Sequence, residues 1–206
     1  MEAGADLDGH AGQLGRGVSM TSLPQDGAMQ ALAPLIGEWR MEAVFPSSSP
    51  AAGMEADGVA QAVFEYLPGG QFVIQRWEVP HPDAPDGIAI IGWDGGRRSL
   101  VQHYFDSRGI ARLYEMSFGD GVWRLSRTAA DFSPLDFAQR YTGVVSDDAR
   151  MIQGAWELST DGTQWEHDFE LNYSKRRRSK KGRTRASPRP RIHLKADTDH
   201  PVAQFT

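Results

Sequence analysis

The chain has 206 residues, a net charge of −5 and no cysteine. That length allows one domain with tails and a sizeable core, while the absence of cysteine excludes disulfides, thiolate zinc sites and thiol chemistry, and accords with a reducing cytoplasm. No apolar run approaches the ~20 residues of a membrane helix, and Met1 to Ser19 lacks an apolar core behind a basic start, so neither a membrane span nor a secretory signal is expected.

The charge is unevenly divided. Residues 175–206 carry eleven Lys/Arg against Asp197 and Asp199, a balance of +9, whereas residues 1–174 carry eleven Arg and no Lys against twenty-five Asp/Glu, a balance of −14. Three regions follow: a disordered N-terminal segment (1–23), a folded domain (24–174) and a disordered basic tail (175–206). Met1 to Ser22 is rich in Gly, Ala and Asp without periodicity, too little apolar surface to offset ordering entropy.

From Pro24 to Ile36 the apolar residues Met29, Leu32, Leu35 and Ile36 recur at helical spacing, with Asp26 as a candidate N-cap and a break near Pro34. Gly37 and Trp39 follow at the mouth of the first strand. A residue without Cβ permits a sharp entry into a closed barrel, and the indole two positions on caps its narrow end, so this pair is expected to be a structural plug.

Beyond Trp39 the pattern becomes short alternating segments, near 38–45, 58–66, 71–79, 87–94, 98–106, 109–118, 121–128, 137–145, 150–158 and 164–173. Pro68-Gly69-Gly70, Asp94-Gly95-Gly96, Ser107-Arg108-Gly109, Gly119-Asp120-Gly121, Ser146-Asp147-Asp148 and Asp161-Gly162 punctuate them as turns. Roughly ten strands without intervening helices predict an all-β antiparallel meander, and closing it into a barrel removes its exposed edges.

Side-chain parity describes the interior. Trp165, His167, Phe169, Leu171 and Tyr173 are expected to share one face of the last strand. Arg112, Tyr114, Met116 and Phe118 oppose Leu113 and Glu115, and Gln102 with Tyr104 opposes His103 with Phe105. Such mixing of large apolar and polar residues suits a ligand cavity better than a packed core.

The motifs Phe64-Glu65-Tyr66-Leu67-Pro68-Gly69-Gly70-Gln71-Phe72, Ile91-Gly92-Trp93-Asp94, His103-Tyr104-Phe105-Asp106-Ser107, Asp136-Phe137-Ala138-Gln139-Arg140-Tyr141-Thr142-Gly143 and Trp156 to Phe169 run in order along the chain. Over roughly residues 28–175 the chain resembles a widespread family of uncharacterised bacterial proteins with calycin-type (lipocalin-like) barrels. The resemblance implies a ten-stranded barrel in the neighbourhood of fatty-acid-binding proteins and heme-binding nitrobindins, with no established reaction. It also implies His167, from the last strand, as the residue to test for heme ligation, although its spacing departs from the nitrobindin pattern by about one residue.

Arg76, Arg112, Arg124, Arg127 and Arg140 fall in strands, where an inward guanidinium could clamp a carboxylate. Arg140, flanked by Gln139 and Tyr141 in a matched motif, is the first choice; Tyr104, Tyr114, Arg76 and Trp156 complete the expected ligand-binding set. Parity separates His103 from Tyr104 and Asp106, so that strand supplies no His-Asp acid–base pair, and no nucleophile motif, phosphate loop or metal-spaced cluster appears. The expected function is non-enzymatic binding of a small, largely apolar ligand, with a carboxylate end as an option. The alternatives are a cavity enzyme of cyclase or isomerase type and a heme-dependent barrel acting on nitrogen oxides or peroxides.

The tail reads either as a nonspecific nucleic-acid or anionic-surface contact or as an appendage without a selected role, which the abrupt change in lysine use favours. Deleting residues 176–206 is expected to leave the melting temperature unchanged and to abolish any nucleic-acid binding by the full chain. Calorimetry and a salt titration of nucleic-acid binding check both statements.

Overall fold

The computed structural model describes residues 25–49 and 58–176; the segment 1–23 and most of the basic tail lie outside the described residues, as does the Asp26 side chain. Helix α1 (Gln25–Ala31) leads into a 3-10 turn over Ala33–Leu35. The helical periodicity is thus split where the sequence places Pro34, which sits inside the tighter turn.

Ten strands follow: β1 (Gly37–Val44), β2 (Gln61–Tyr66), β3 (Phe72–Glu78), β4 (Gly87–Asp94), β5 (Ser99–Asp106), β6 (Ala111–Gly119), β7 (Val122–Arg127), β8 (Ala138–Val145), β9 (Met151–Ser159) and β10 (Glu166–Lys175). Each pairs antiparallel with the next, and β10 pairs with β1, so the sheet is a closed ten-stranded antiparallel barrel. The closing register runs from Trp39 opposite Lys175 to Val44 opposite Glu170. Lys175, the first residue of the expected tail, is therefore the last residue of β10.

One end of the barrel is sealed by the N-terminal elements. Leu32, Leu35 and Trp39 are wholly buried, and the Trp39 Nε1–H donates to the Leu35 carbonyl at 2.7 Å. The Tyr66 hydroxyl ties the helix to β2 by donating to the Met29 carbonyl at 2.9 Å. Gly37 enters β1 with φ +134, a backbone conformation that L side chains rarely adopt, and a Cβ there would meet the Lys175 side chain at 3.0 Å. The sealing indole also carries the Lys175 ammonium 4.9 Å from its ring centroid.

Inside, aromatic rings meet edge to face rather than in a featureless apolar fill. Trp123 contacts Phe64, Tyr141 and Tyr173 at centroid separations of 5.8, 5.1 and 6.1 Å. Tyr141 needs room that two glycines supply: Gly143 and Gly154 face each other across β8 and β9, and a Cβ on either would overlap the Tyr141 ring. Its hydroxyl then reaches the Leu171 carbonyl at 3.2 Å.

Trp39→Ala is expected to cost about 3–5 kcal/mol as a buried-aromatic truncation. Gly154→Ala is expected to cost about 1–3 kcal/mol by overpacking against Tyr141. Urea denaturation of the two variants checks both, and an unmoved midpoint in the first rejects the sealing role of Trp39.

Candidate functional site

The end opposite the helix is the barrel mouth, and its inner wall is aromatic. Trp77 stacks on Tyr104 at 5.1 Å, Tyr104 meets Tyr114 edge-on at 6.3 Å, and Tyr114 meets Trp156 at 5.5 Å. Trp156 in turn stacks on Phe169 at 6.5 Å, and Phe169 on Phe45 at 5.1 Å. Three of the five residues expected to bind ligand, Tyr104, Tyr114 and Trp156, are therefore neighbours in one arc.

Several inward residues keep contact with solvent, Tyr104, Arg112 and Gln139 at the rim among them. Met41, Gly154, Trp156, Phe169 and Leu171 point inward yet remain partly accessible, whereas Ile91, Gln102, Met116 and Leu125 across the barrel are buried. Between the rim and the sealed end, the accessible side is thus the wall formed by β9, β10 and β1. A separate groove of about 230 Å³ lies outside the barrel, along Phe72, Ile90, Gly92, Val101 and His103. It is open, no arginine lines it, and it lies on the opposite face of the sheet from the aromatic arc, so it is the weaker candidate for a specific site.

Two ion pairs lie at the mouth. Arg127, inward on β7, binds Asp131 through Nε to Oδ2 at 2.8 Å and Nη2 to Oδ1 at 2.9 Å, with side-chain exposures of 1% and 4%. Asp131 also accepts the Leu113 N–H at 2.8 Å, while Arg127 donates to the Phe137 and Pro134 carbonyls, so the loop between β7 and β8 is anchored to the rim. Asp106 accepts from the Tyr104 hydroxyl at 2.8 Å and from Arg108 Nη2 at 2.6 Å. The hydrogen bond from Arg127 holds the Asp131 carboxyl well below the usual carboxylate range. Burial pushes the Tyr114 hydroxyl up to about 12, and that hydroxyl lies 3.1 Å from Gln139 Oε1.

Two of the expected arginines are elsewhere. Arg140 faces outward, paired bidentately with Glu157 at 2.6 and 2.8 Å and stacked 4.2 Å over the Trp165 ring, with its side chain 40% exposed. Arg76 is also outside, paired with Glu65 and 49% exposed. Neither is in reach of the interior. The carboxylate-clamp position expected for Arg140 is not created by the fold, because its neighbour Tyr141 takes the inward place and strand parity turns Arg140 to the surface.

His167 is displaced for a different reason. The β9–β10 register shifts between His167 and Phe169, so that His167 pairs with Glu157 and Phe169 with the adjacent Trp156. Adjacent residues of β9 face opposite sides, and hence so do His167 and Phe169. This β-bulge overturns the simple alternation that grouped them. His167 is exposed on the outer face and His103 is outward on β5, so neither strand histidine is offered to an iron in the interior. Among the described residues no group of three or more His, Asp and Glu could hold a metal ion.

With this geometry in hand, the fold can be compared with known proteins. The crystal structure of Rv2717c from M. tuberculosis is similar, with a TM-score of 0.50 and 14% sequence identity, covering 73% of this chain and 98% of that one. The likeness is one of fold. No protein-family model matches the chain, and no curated protein does. Among the described residues, no helix is long and apolar enough to cross a membrane.

The Arg127–Asp131 pair generates a pH dependence. A carboxylate whose folded pKa lies below its unfolded value of about 3.9 stabilises the fold at neutral pH and loses that contribution as pH falls through and below that value. Asp131→Asn, which leaves a buried guanidinium without its counter-charge, is expected to cost about 3–5 kcal/mol at pH 7. Urea midpoints from neutral to acid pH check this: wild type loses its advantage over the variant on acidification.

Proposed function

We propose that the barrel binds a small, largely apolar ligand between the aromatic arc at its mouth and the partly accessible wall of β9, β10 and β1. The observation that carries this reading is the exposure pattern: Trp156, Phe169 and Leu171 face inward and are still reached by solvent, while Ile91, Gln102, Met116 and Leu125 across the barrel are buried. Inward apolar surface left accessible in a closed barrel is surface that a ligand can dehydrate, at roughly 25 cal/mol per Å². The rings contribute flat contact faces at fixed separations, and the ion pairs hold the rim in place.

The reading is that of a binding protein. Asp106 and Asp131 at the mouth are each engaged by an arginine, and neither strand histidine faces inward, so among the described residues these groups present no free acid–base pair for catalysis.

The test is titration with the neutral fluorophore phenylnaphthylamine, whose emission rises in an apolar site. Binding in the micromolar range is expected. Leu171→Trp, which fills the accessible wall, is expected to weaken it at least tenfold, or about 1.4 kcal/mol, whereas Phe72→Ser in the outer groove is expected to leave it unchanged. The opposite result, sensitivity to Phe72 and not to Leu171, moves the site to the outer groove. Native mass spectrometry of protein expressed in its own host reads any co-purifying ligand directly.

A further inference from the structure

Among the described strand arginines, one faces inward without a counter-charge. Arg76, Arg127 and Arg140 are paired with Glu65, Asp131 and Glu157, and Arg40 and Arg124 are outward and exposed. Arg112 differs. It sits opposite Tyr104 across β5 and β6, shares the inward face with Tyr114 and Met116, and is half-buried at the rim.

Its hydrogen bonds go to neutral oxygens: Nη1 donates to Ser133 Oγ at 2.6 Å and to the Ala111 carbonyl at 3.2 Å. Among the described residues no carboxylate lies within ion-pair distance of it. Both contacts use the same nitrogen, which leaves Nε and Nη2, one edge of the guanidinium fork, for another acceptor. The charge is close to the aromatic arc, since Arg112 pairs with Tyr104 across the strands and stands two residues from Tyr114 on the same face of β6. The nearby acids are committed: Asp131 to Arg127 and Asp106 to Arg108 and Tyr104.

We infer that the ligand is an aromatic or apolar acid, held with its anionic end at the rim by Arg112 and its flat body against Tyr104, Tyr114 and Trp156. A guanidinium edge matches a carboxylate bidentately, and a site partly shielded by rings strengthens the attraction over that in water. The inference rests on the binding reading above and adds the charge and orientation of the ligand to it.

The test displaces phenylnaphthylamine from the full chain with two competitors of equal shape, naphthylacetate and its amide. Wild type is expected to favour the acid at least tenfold. Arg112→Met is expected to lose that preference while the amide and the neutral fluorophore bind as before. Arg112→Lys is expected to keep part of it, and the outward Arg140→Met all of it. Equal affinity of wild type for acid and amide, or an Arg112→Met variant that weakens both competitors alike at unchanged melting temperature, overturns the role of Arg112 and leaves the binding reading standing. Failure of the fluorophore itself to bind wild type overturns the binding reading instead.

Discussion

The pairing of β10 with β1 is the constraint on which everything else depends. A ten-stranded meander has two edges whose backbone donors and acceptors must be satisfied, and the register from Trp39–Lys175 to Val44–Glu170 satisfies them on each other. The same register sets the interior. It brings Tyr173 and Leu171 opposite Met41 and Ala43, carries Trp39 into the sealed end, and leaves inward residues of the β1–β10–β9 wall partly accessible.

Within that frame the two ends of the barrel have opposite chemistry. The sealed end is apolar, with Trp39 capped by the Leu35 carbonyl and covered by the 3-10 turn. The open end is polar at the rim and aromatic just inside it. Burying Arg127 with Asp131 is costly unless the remaining donors and acceptors are also satisfied, and here the Leu113 amide and the Phe137 and Pro134 carbonyls satisfy them. The pair therefore works as a fastener for the loop between β7 and β8. Because it absorbs one acid and one base together, it leaves the neighbouring Arg112 uncompensated.

The fold was legible in the sequence because its signals are local. Ten alternating segments and their turns correspond to ten strands, and Gly37 and Trp39 occupy a strained strand entry and a fully buried indole position. Parity also placed Arg112, Tyr114 and Met116 on one face and separated Tyr104 from His103, as the register shows. What parity gives is two faces. It does not say which of them is the inside when both carry aromatic and charged residues, as on β8, where Arg140 and Tyr141 compete for the interior.

The sequence by itself determined the strand count, the turns and the N-terminal closure, and named Tyr104, Tyr114 and Trp156 of the six rings in the aromatic arc, because alternation and turn chemistry act over a few residues. Only the tertiary structure decided which arginines face inward and which carboxylates are already taken. Asp131 reaches Arg127 from a loop with no periodic signal, and Glu157 reaches Arg140 from the next strand. The bulge before Phe169 belongs to the same class: it inserts one residue into the β9–β10 ladder and turns His167 outward, an event set by how two strands pair and not by the composition of either.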